Sequence, residues 1–109
     1  MPRVSINTPA PDFNLTDYTG KTFKLSALRN QKNVLLVFNR TFCQKQMAQL
    51  RQDHQKFIEC NVEVVVVGPE DVKAFTAYFE KEALPFIGLP DPKSSVLKLY
   101  GQEVNLFKM

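Results

Sequence analysis

Hydrophobic and polar positions follow the period of a strand in some stretches of this chain and the period of a helix in others. Near the N-terminus, apolar residues at alternate positions predict a hairpin of two short strands, Asp12 to Leu15 and Lys21 to Leu25. The unbroken apolar run from Val34 to Phe38 predicts a strand covered on both faces. The β-branched run from Val62 to Val67 predicts a second such strand.

Between these two central strands, apolar and semi-polar residues recur at intervals of three and four, which predicts a single amphipathic helix ending near Asn61. The residues on its stripe are Cys43, Met47, Leu50, His54, Phe57 and Ile58. The same spacing predicts a further helix from Val72 to Ala83, with Val72, Phe75, Phe79 and Ala83 on one face. Glu70 and Asp71 precede it, where carboxylates favour a helix N-terminus, and their spacing does not suit a general acid and base pair.

The rest of the chain predicts a loop from Pro85 to Pro92, a short helix from Ser94 to Tyr100 and a last, edge-like strand from Val104 to Phe107. Strands alternate with helices, and no repeat or linker interrupts the order. Such an order favours an α/β fold of three layers, α/β/α, around a central mixed or parallel sheet. We therefore expect a single domain over residues 1–109.

Length and composition narrow the class of protein. At 109 residues with 44% hydrophobic residues, the chain is long enough for one domain and too apolar for intrinsic disorder. No apolar run approaches the ~20 residues of a membrane span, and the N-terminus has no apolar core of a secretory signal. We expect no membrane association and a cytoplasmic protein.

The charge is unevenly distributed, although the net charge is only +3. The stretch from residue 18 to 52 has no acidic residue and seven basic ones, namely Lys21, Lys24, Arg29, Lys32, Arg40, Lys45 and Arg51. Such a stretch is more often a solvated face than a nucleic-acid surface. Because no basic helix with interleaved aromatics and no zinc spacing accompanies it, we predict no nucleic-acid partner.

Cys43 and Cys60 are the two cysteines, too few for a disulfide framework or a cysteine zinc site. Because His54 is the sole histidine, a histidine cluster for a metal is excluded as well. Cys60 closes the predicted helix and is expected to be an ordinary buried residue. His54 is expected to face the core or another subunit.

Cys43 is the candidate for chemistry, because it falls where the first central strand gives way to its helix. In α/β sheets, sites form beyond the carboxyl ends of strands. A cysteine in the first turn of a helix has its thiolate stabilised by the helix dipole, and a nearby arginine adds to that effect. Arg40 can supply that charge and Thr41 a hydrogen bond. The alternative is that Cys43 is only the first small apolar residue of the stripe.

The chain resembles the peroxiredoxin family, the alkyl hydroperoxide reductase and thiol-specific antioxidant group, which has a thioredoxin-like fold. Three stretches carry the resemblance and cover nearly the whole chain. They are Pro9-Ala10-Pro11-Asp12-Phe13 with Leu15, Gly20-Lys21 and Leu25-Ser26; Val34 to Arg40 with Gln46, Leu50 and Phe57; and Phe79 with Leu84-Pro85-Phe86, Asp91-Pro92 and Leu99-Tyr100-Gly101.

This resemblance implies reduction of hydrogen peroxide or organic hydroperoxides, with a cysteine thiolate becoming a sulfenic acid. A thioredoxin-like protein or small thiol is the implied reductant, and no metal or organic cofactor is needed. Cys43 is the implied nucleophile if Arg40 and Thr41 set the alignment. If Gln46 to Leu50 set it, Cys43 instead matches the second cysteine of a Cys-x-x-Cys pair.

The chain is shorter than the family pattern in two places, before Cys43 and after Met109. The family's C-terminal hairpin, a supporting arginine and its last helix would follow Met109, so we expect a truncated form, a fragment or a unit that a partner completes. A catalytically inactive binding or assembly module is the alternative function. An apolar edge at Val104 to Phe107 would recruit a second copy, which predicts a homodimer.

Overall fold

The computed structural model describes residues 10–28, 31–38 and 44–100. Two short strands come first, β1 (Asn14–Thr16) and β2 (Thr22–Lys24), and they pair antiparallel with Leu15 opposite Phe23. The turn between them is held by Asp17, whose Oδ1 accepts hydrogen bonds from the backbone N–H groups of Thr19 and Lys21. The predicted hairpin is therefore confirmed, and a 3-10 helix at Leu25–Leu28 follows it.

A parallel three-stranded sheet lies at the centre of the molecule. Its strands are β3 (Asn33–Phe38), β4 (Val62–Gly68) and β5 (Ile87–Pro90), in that spatial order. The four helices among the described residues are α1 (Gln44–Gln52), α2 (His54–Glu59), α3 (Val72–Lys81) and α4 (Ser95–Leu99). None of these helices is long and apolar enough to cross a membrane.

Val64 to Val67 of β4 are buried on both faces of the sheet, as the β-branched run from Val62 to Val67 predicts. Val64 and Val66 pack with Met47 of α1 and with Phe75 and Phe79 of α3. On the opposite face, residues 65 and 67 pack with Phe13, Phe23, Leu89, Val96 and Tyr100, from the hairpin, β5 and the α4 region. The predicted three layers are thus present, with the antiparallel hairpin as a separate ribbon over one face.

The predicted loop from Pro85 to Pro92 is wrong, because residues 87–90 form β5 alongside β4. Gly88 and Pro90 are poor strand formers, so local propensity argues against a strand there. Pairing overrides that propensity: Val66 lies opposite Gly88, and Gly68 opposite Pro90. Pro90 is tolerated because β5 has a sheet neighbour on only one side among the described residues.

The single helix predicted after β3 is interrupted at Asp53, which separates α1 from α2. The Asp53 carboxylate accepts a hydrogen bond from the Gln49 side chain at 3.0 Å. The backbone of Asp53 departs from helical geometry, at φ −91° and ψ 6°, and its side chain does not cap α2. Asn61 adopts a positive φ of 57°, which is the left-handed stop expected after the helix.

Four positions expected in the core lie at the surface instead. Ile58 is 53% exposed and Val72 is 54% exposed, while Ala83 and Cys60 are also exposed. Val72 is the first residue of α3, Ile58 is one residue from the end of α2, and Cys60 and Ala83 lie beyond the ends of their helices. Helical spacing predicts the direction in which a side chain points, but not how far along the helix its neighbour extends.

Candidate active site

The three candidate residues, Arg40, Thr41 and Cys43, lie outside the described residues, as does the predicted strand from Val104 to Phe107. The structure does describe the elements on either side of the candidate residues. β3 ends at Phe38, and α1 begins at Gln44, the residue after Cys43 in the sequence. The candidate segment therefore connects the carboxyl end of a parallel strand to the start of a nine-residue helix.

The carboxyl edge of the sheet is formed by residues that are far apart in the sequence. Phe38 of β3 lies opposite Val67 of β4, and Gly68 lies opposite Pro90 of β5. The backbone N–H of Asp91 donates to the Gly68 carbonyl at 2.7 Å. All three strands therefore end at one edge, which is where ligand sites form in open parallel sheets.

Tyr100 connects this edge to the N-terminal segment. Its ring lies 5.5 Å from that of Phe38 and 6.0 Å edge-on from that of Phe13, measured between centroids. Its hydroxyl donates to the Pro11 carbonyl at 2.6 Å. Burial, with a smaller effect of the Asp12 charge, raises the pKa of Tyr100 above its usual value. A neutral hydroxyl donor therefore fixes the start of the described chain beside the end of β3.

Two acidic residues near the edge serve as helix caps. The Asp71 carboxylate accepts a hydrogen bond from the Ala74 backbone at 2.8 Å and caps α3, as expected. Asp91 is 2% exposed, and its carboxylate caps the first turn of α4. Its Oδ1 accepts from the backbone and hydroxyl of Ser95, and its Oδ2 from the backbone N–H groups of Val96 and Leu97.

Glu70 differs from both of these carboxylates. Its Oε1 is buried and accepts no hydrogen bond from any described residue. Burial raises the pKa of Glu70 above its usual value, and a hydrogen bond from its own backbone N–H partly offsets that effect. The sequence predicts for Glu70 only a position at the helix N-terminus, and no sequence signal distinguishes it from Asp71.

The other candidates lie away from this edge. His54 is half-buried, and its ring meets that of Phe86 edge-on at 5.7 Å between centroids, so it faces the α1–α3 side of the core. Cys60 lies just before β4, at the amino end of the strands. A shallow polar depression at the same end is lined by Gln31, Lys32, Asn33 and Asn61. Within the described ranges, no group of three or more His, Cys, Asp or Glu residues is placed to hold a metal ion.

Comparison with known proteins gives consistent matches over nearly the whole chain. The AhpC/TSA family pattern matches residues 6–106. The chloroplastic peroxiredoxin Q of Triticum aestivum is 31% identical over 108 residues, which are 96% of this chain and 50% of that protein. Peroxiredoxin Bcp of Bacillus subtilis is 26% identical over 100 residues, which are 89% of this chain and 64% of that protein.

Among solved structures, the peroxidoxin BcpB of Mycobacterium tuberculosis superposes with a TM-score of 0.84 at 24% identity, covering 92% of this chain and 68% of that one. This likeness confirms the predicted thioredoxin-like α/β architecture. The chain spans about half the length of the plant relatives that it matches.

Proposed function

Because the chain belongs to the AhpC/TSA family of peroxiredoxins, we propose that it is a thiol peroxidase in which Cys43 is the nucleophile. One observation supports this proposal: the family match over residues 6–106 includes Cys43, and α1 begins at Gln44, the next residue in the sequence. The dipole of α1 favours a thiolate at its N-terminus, because unpaired backbone N–H groups point there.

In the proposed reaction, the Cys43 thiolate attacks the terminal oxygen of hydrogen peroxide or an organic hydroperoxide. A sulfur–oxygen bond forms and the oxygen–oxygen bond breaks, so that the cysteine becomes a sulfenic acid and the peroxide leaves as water or an alcohol. Arg40 stabilises the thiolate by its charge, and Thr41 donates a hydrogen bond. A thioredoxin-like protein or small thiol then reduces the sulfenic acid, first forming a mixed disulfide and water.

Peroxide consumption with thioredoxin or dithiothreitol as reductant tests this proposal. Cys43→Ser is expected to abolish the activity, because a hydroxyl is a far weaker nucleophile than a thiolate. Cys60→Ser is the matched control, since Cys60 is exposed at the amino end of the strands, and it is expected to retain activity. A Cys43→Ser protein as active as the parent would end the proposal.

The second candidate function is a catalytically inactive binding or assembly module. The observation that favours it is length, because the chain covers only half of the plant relatives. Cys43 is the peroxide-cleaving cysteine if Arg40 and Thr41 set the alignment to the family, and the second cysteine of the family pattern if Gln46 to Leu50 set it. A titration of the Cys43 thiol by alkylation rate separates the two functions: a nucleophile titrates below the usual ~8.5 of cysteine, and an inactive module does not.

The predicted homodimer and cytoplasmic location stay predictions. In the part of the chain that the structure describes, β3 pairs on one side only, and its Leu35 is 37% exposed, which is consistent with an edge that accepts another strand. Light scattering tests the dimer, and a strictly monomeric protein would contradict it. Cell fractionation tests the location, for which the plant relatives carry chloroplastic names.

A further inference from the structure

The edge of β5 that faces away from β4 offers little to a further strand. The backbone N–H of Asp91 donates to the Gly68 carbonyl of β4. Because backbone groups along a strand point alternately to its two sides, those of Gly88 and Pro90 face away from β4. Pro90 has no N–H to donate. The Gly88 carbonyl is already occupied, since it accepts a hydrogen bond from the backbone N–H of Tyr18 at 3.0 Å.

The donor of that hydrogen bond belongs to the hairpin turn, residues 17–21, which joins β1 to β2. The hairpin packs Phe13 and Phe23 on the face of the sheet that α4 covers. Tyr18 instead packs with the cluster on the opposite face, where its ring lies 5.0 Å from that of Phe79 between centroids. The hairpin turn therefore crosses the outer edge of β5 and reaches the other face of the sheet.

Hydrogen bonds within the hairpin turn hold it in this shape. The Asp17 N–H donates to the Lys21 carbonyl at 2.7 Å, and the Gly20 N–H donates to the Asp17 carbonyl at 3.0 Å. The Asp17 carboxylate accepts from the backbone N–H groups of Thr19 and Lys21, each at 2.9 Å. Gly20 has a φ of 96°, which glycine adopts without strain. Because the turn is preformed, it presents Tyr18 to β5 at little cost in conformational entropy.

We propose that the hairpin turn is a strap that closes the outer edge of β5 against strand addition by a second copy of this chain. Proteins protect strand edges with short strands, prolines and covering loops. β5 combines all three, since it has four residues, contains Pro90 and lies under the turn. β3 has six residues, no proline and one sheet neighbour within the described ranges. While the strap is in place, an added strand is therefore directed to β3.

Release of the strap makes the edge of β5 complementary to itself. The N–H and carbonyl of Gly88 face the same side, away from β4. In an antiparallel pair, two residues directly opposite each other exchange both of their hydrogen bonds. Gly88 of a second copy offers the same two groups, so that a two-fold pairing about this residue satisfies all four. A second copy is therefore the occupant that the freed edge fits.

Amide exchange and light scattering on the full 109-residue chain test the strap. In the parent, the Tyr18 amide should exchange more slowly than in an unstructured chain, because it is bonded to Gly88. Tyr18→Ser removes the ring that anchors the turn on Phe79. We expect it to speed exchange at position 18 roughly tenfold, after correction for the intrinsic rate of each residue. At rising concentration it should also form a larger species than the parent, with new protection of the Gly88 amide.

Tyr18→Phe is the matched control, because it keeps both the ring and the backbone N–H, and it should match the parent in exchange and in size. The amides of Val65 and Val67 should stay protected in Tyr18→Ser, which separates release of the strap from unfolding of the sheet. Asp17→Ala is a second variant that loosens the turn without touching the core, and it should act in the same direction.

Three results would overturn the proposal. The first is a Tyr18 amide that already exchanges in the parent as fast as in an unstructured chain. The second is a variant whose turn opens, by the exchange at position 18, but which keeps the size of the parent at every concentration. The third is an association of the variants that protects amides of β3 and leaves that of Gly88 unprotected.

Discussion

The two faces of the central sheet are covered in different ways. On one face, α1 to α3 pack apolar side chains against Val64 and Val66, and the stacked rings of Phe75 and Phe79 lie 4.7 Å apart. On the other face, the covering pieces come from the hairpin and α4, and they are held by polar links as well as by packing. Both faces depend on close packing, and the second face adds the hydrogen bond from Tyr100 to the Pro11 carbonyl, which joins the two ends of the described chain.

The largest expected effect comes from truncating an aromatic ring on the helical face. Phe79 is 1% exposed and contacts Phe75 and Tyr18. We expect Phe79→Ala to lower the free energy of unfolding by about 4–5 kcal/mol, because few neighbours can move into the space. On the other face, Phe23→Ala should cost about 3 kcal/mol, since the hairpin can shift towards the sheet. Urea unfolding checks both, and a larger loss for Phe23→Ala would contradict the comparison.

Exposed Val72 is the control on the same helix. Val72→Ala is expected to change the free energy of unfolding by less than about 0.5 kcal/mol, as for most surface positions. A loss approaching that of Phe79→Ala would mean that Val72 is covered in solution.

Gly88 provides the next test, because β5 passes directly beneath the two stacked rings. A Cβ at this position would lie 2.7 Å from ring atoms of Phe75 and Phe79. We expect Gly88→Ala to cost about 3 kcal/mol, at the upper end for overpacking a core. Combining it with Phe75→Leu should recover part of the loss in a thermal or urea unfolding measurement. Simple addition of the two losses would argue against the close approach.

The capping carboxylates allow the two faces to be compared with the same substitution. Asp91, buried under α4, accepts four hydrogen bonds, whereas exposed Asp71 on α3 accepts a single one. We expect Asp91→Ala to cost about 2 kcal/mol and Asp71→Ala about 1 kcal/mol. Similar losses in urea unfolding would show that the extra bonds of Asp91 contribute little.

Removing a single hydroxyl should have a small effect, comparable with that of Asp71→Ala. Tyr100→Phe keeps the ring contacts with Phe13 and Phe38 but loses the hydrogen bond to the Pro11 carbonyl. We expect a loss of about 1 kcal/mol, together with faster amide exchange in the hairpin, which this bond helps to hold against the sheet. Exchange that is faster in α3 than in the hairpin would contradict this assignment.

The period of the apolar residues predicted most of the helices and strands, because the buried side chains of each element recur at regular intervals along it. The valine run of β4 and the stripe of Phe75 and Phe79 are local patterns, and in any α/β domain they predict a buried strand and an amphipathic helix. The strand at residues 87–90 was not predictable in this way, because Gly88 and Pro90 favour a turn and only pairing with β4 makes them a strand. The break at Asp53 was not predictable either, because it is a local distortion of the backbone that the spacing of apolar residues does not register.

For the site, the sequence by itself determined the family, through the resemblance of its motifs, and the candidate cysteine, through its position between a predicted strand and a predicted helix. Only the tertiary structure decided that Cys60 is exposed and that the Glu70 oxygen is buried at the carboxyl edge. The burial of a side chain depends on residues that are far away in the sequence. Nothing in the sequence next to Cys60 or Glu70 indicates how fully those distant residues cover it. Short-range patterns determine the order of the helices and strands, whereas the surroundings of a side chain depend on which of those elements pack against it.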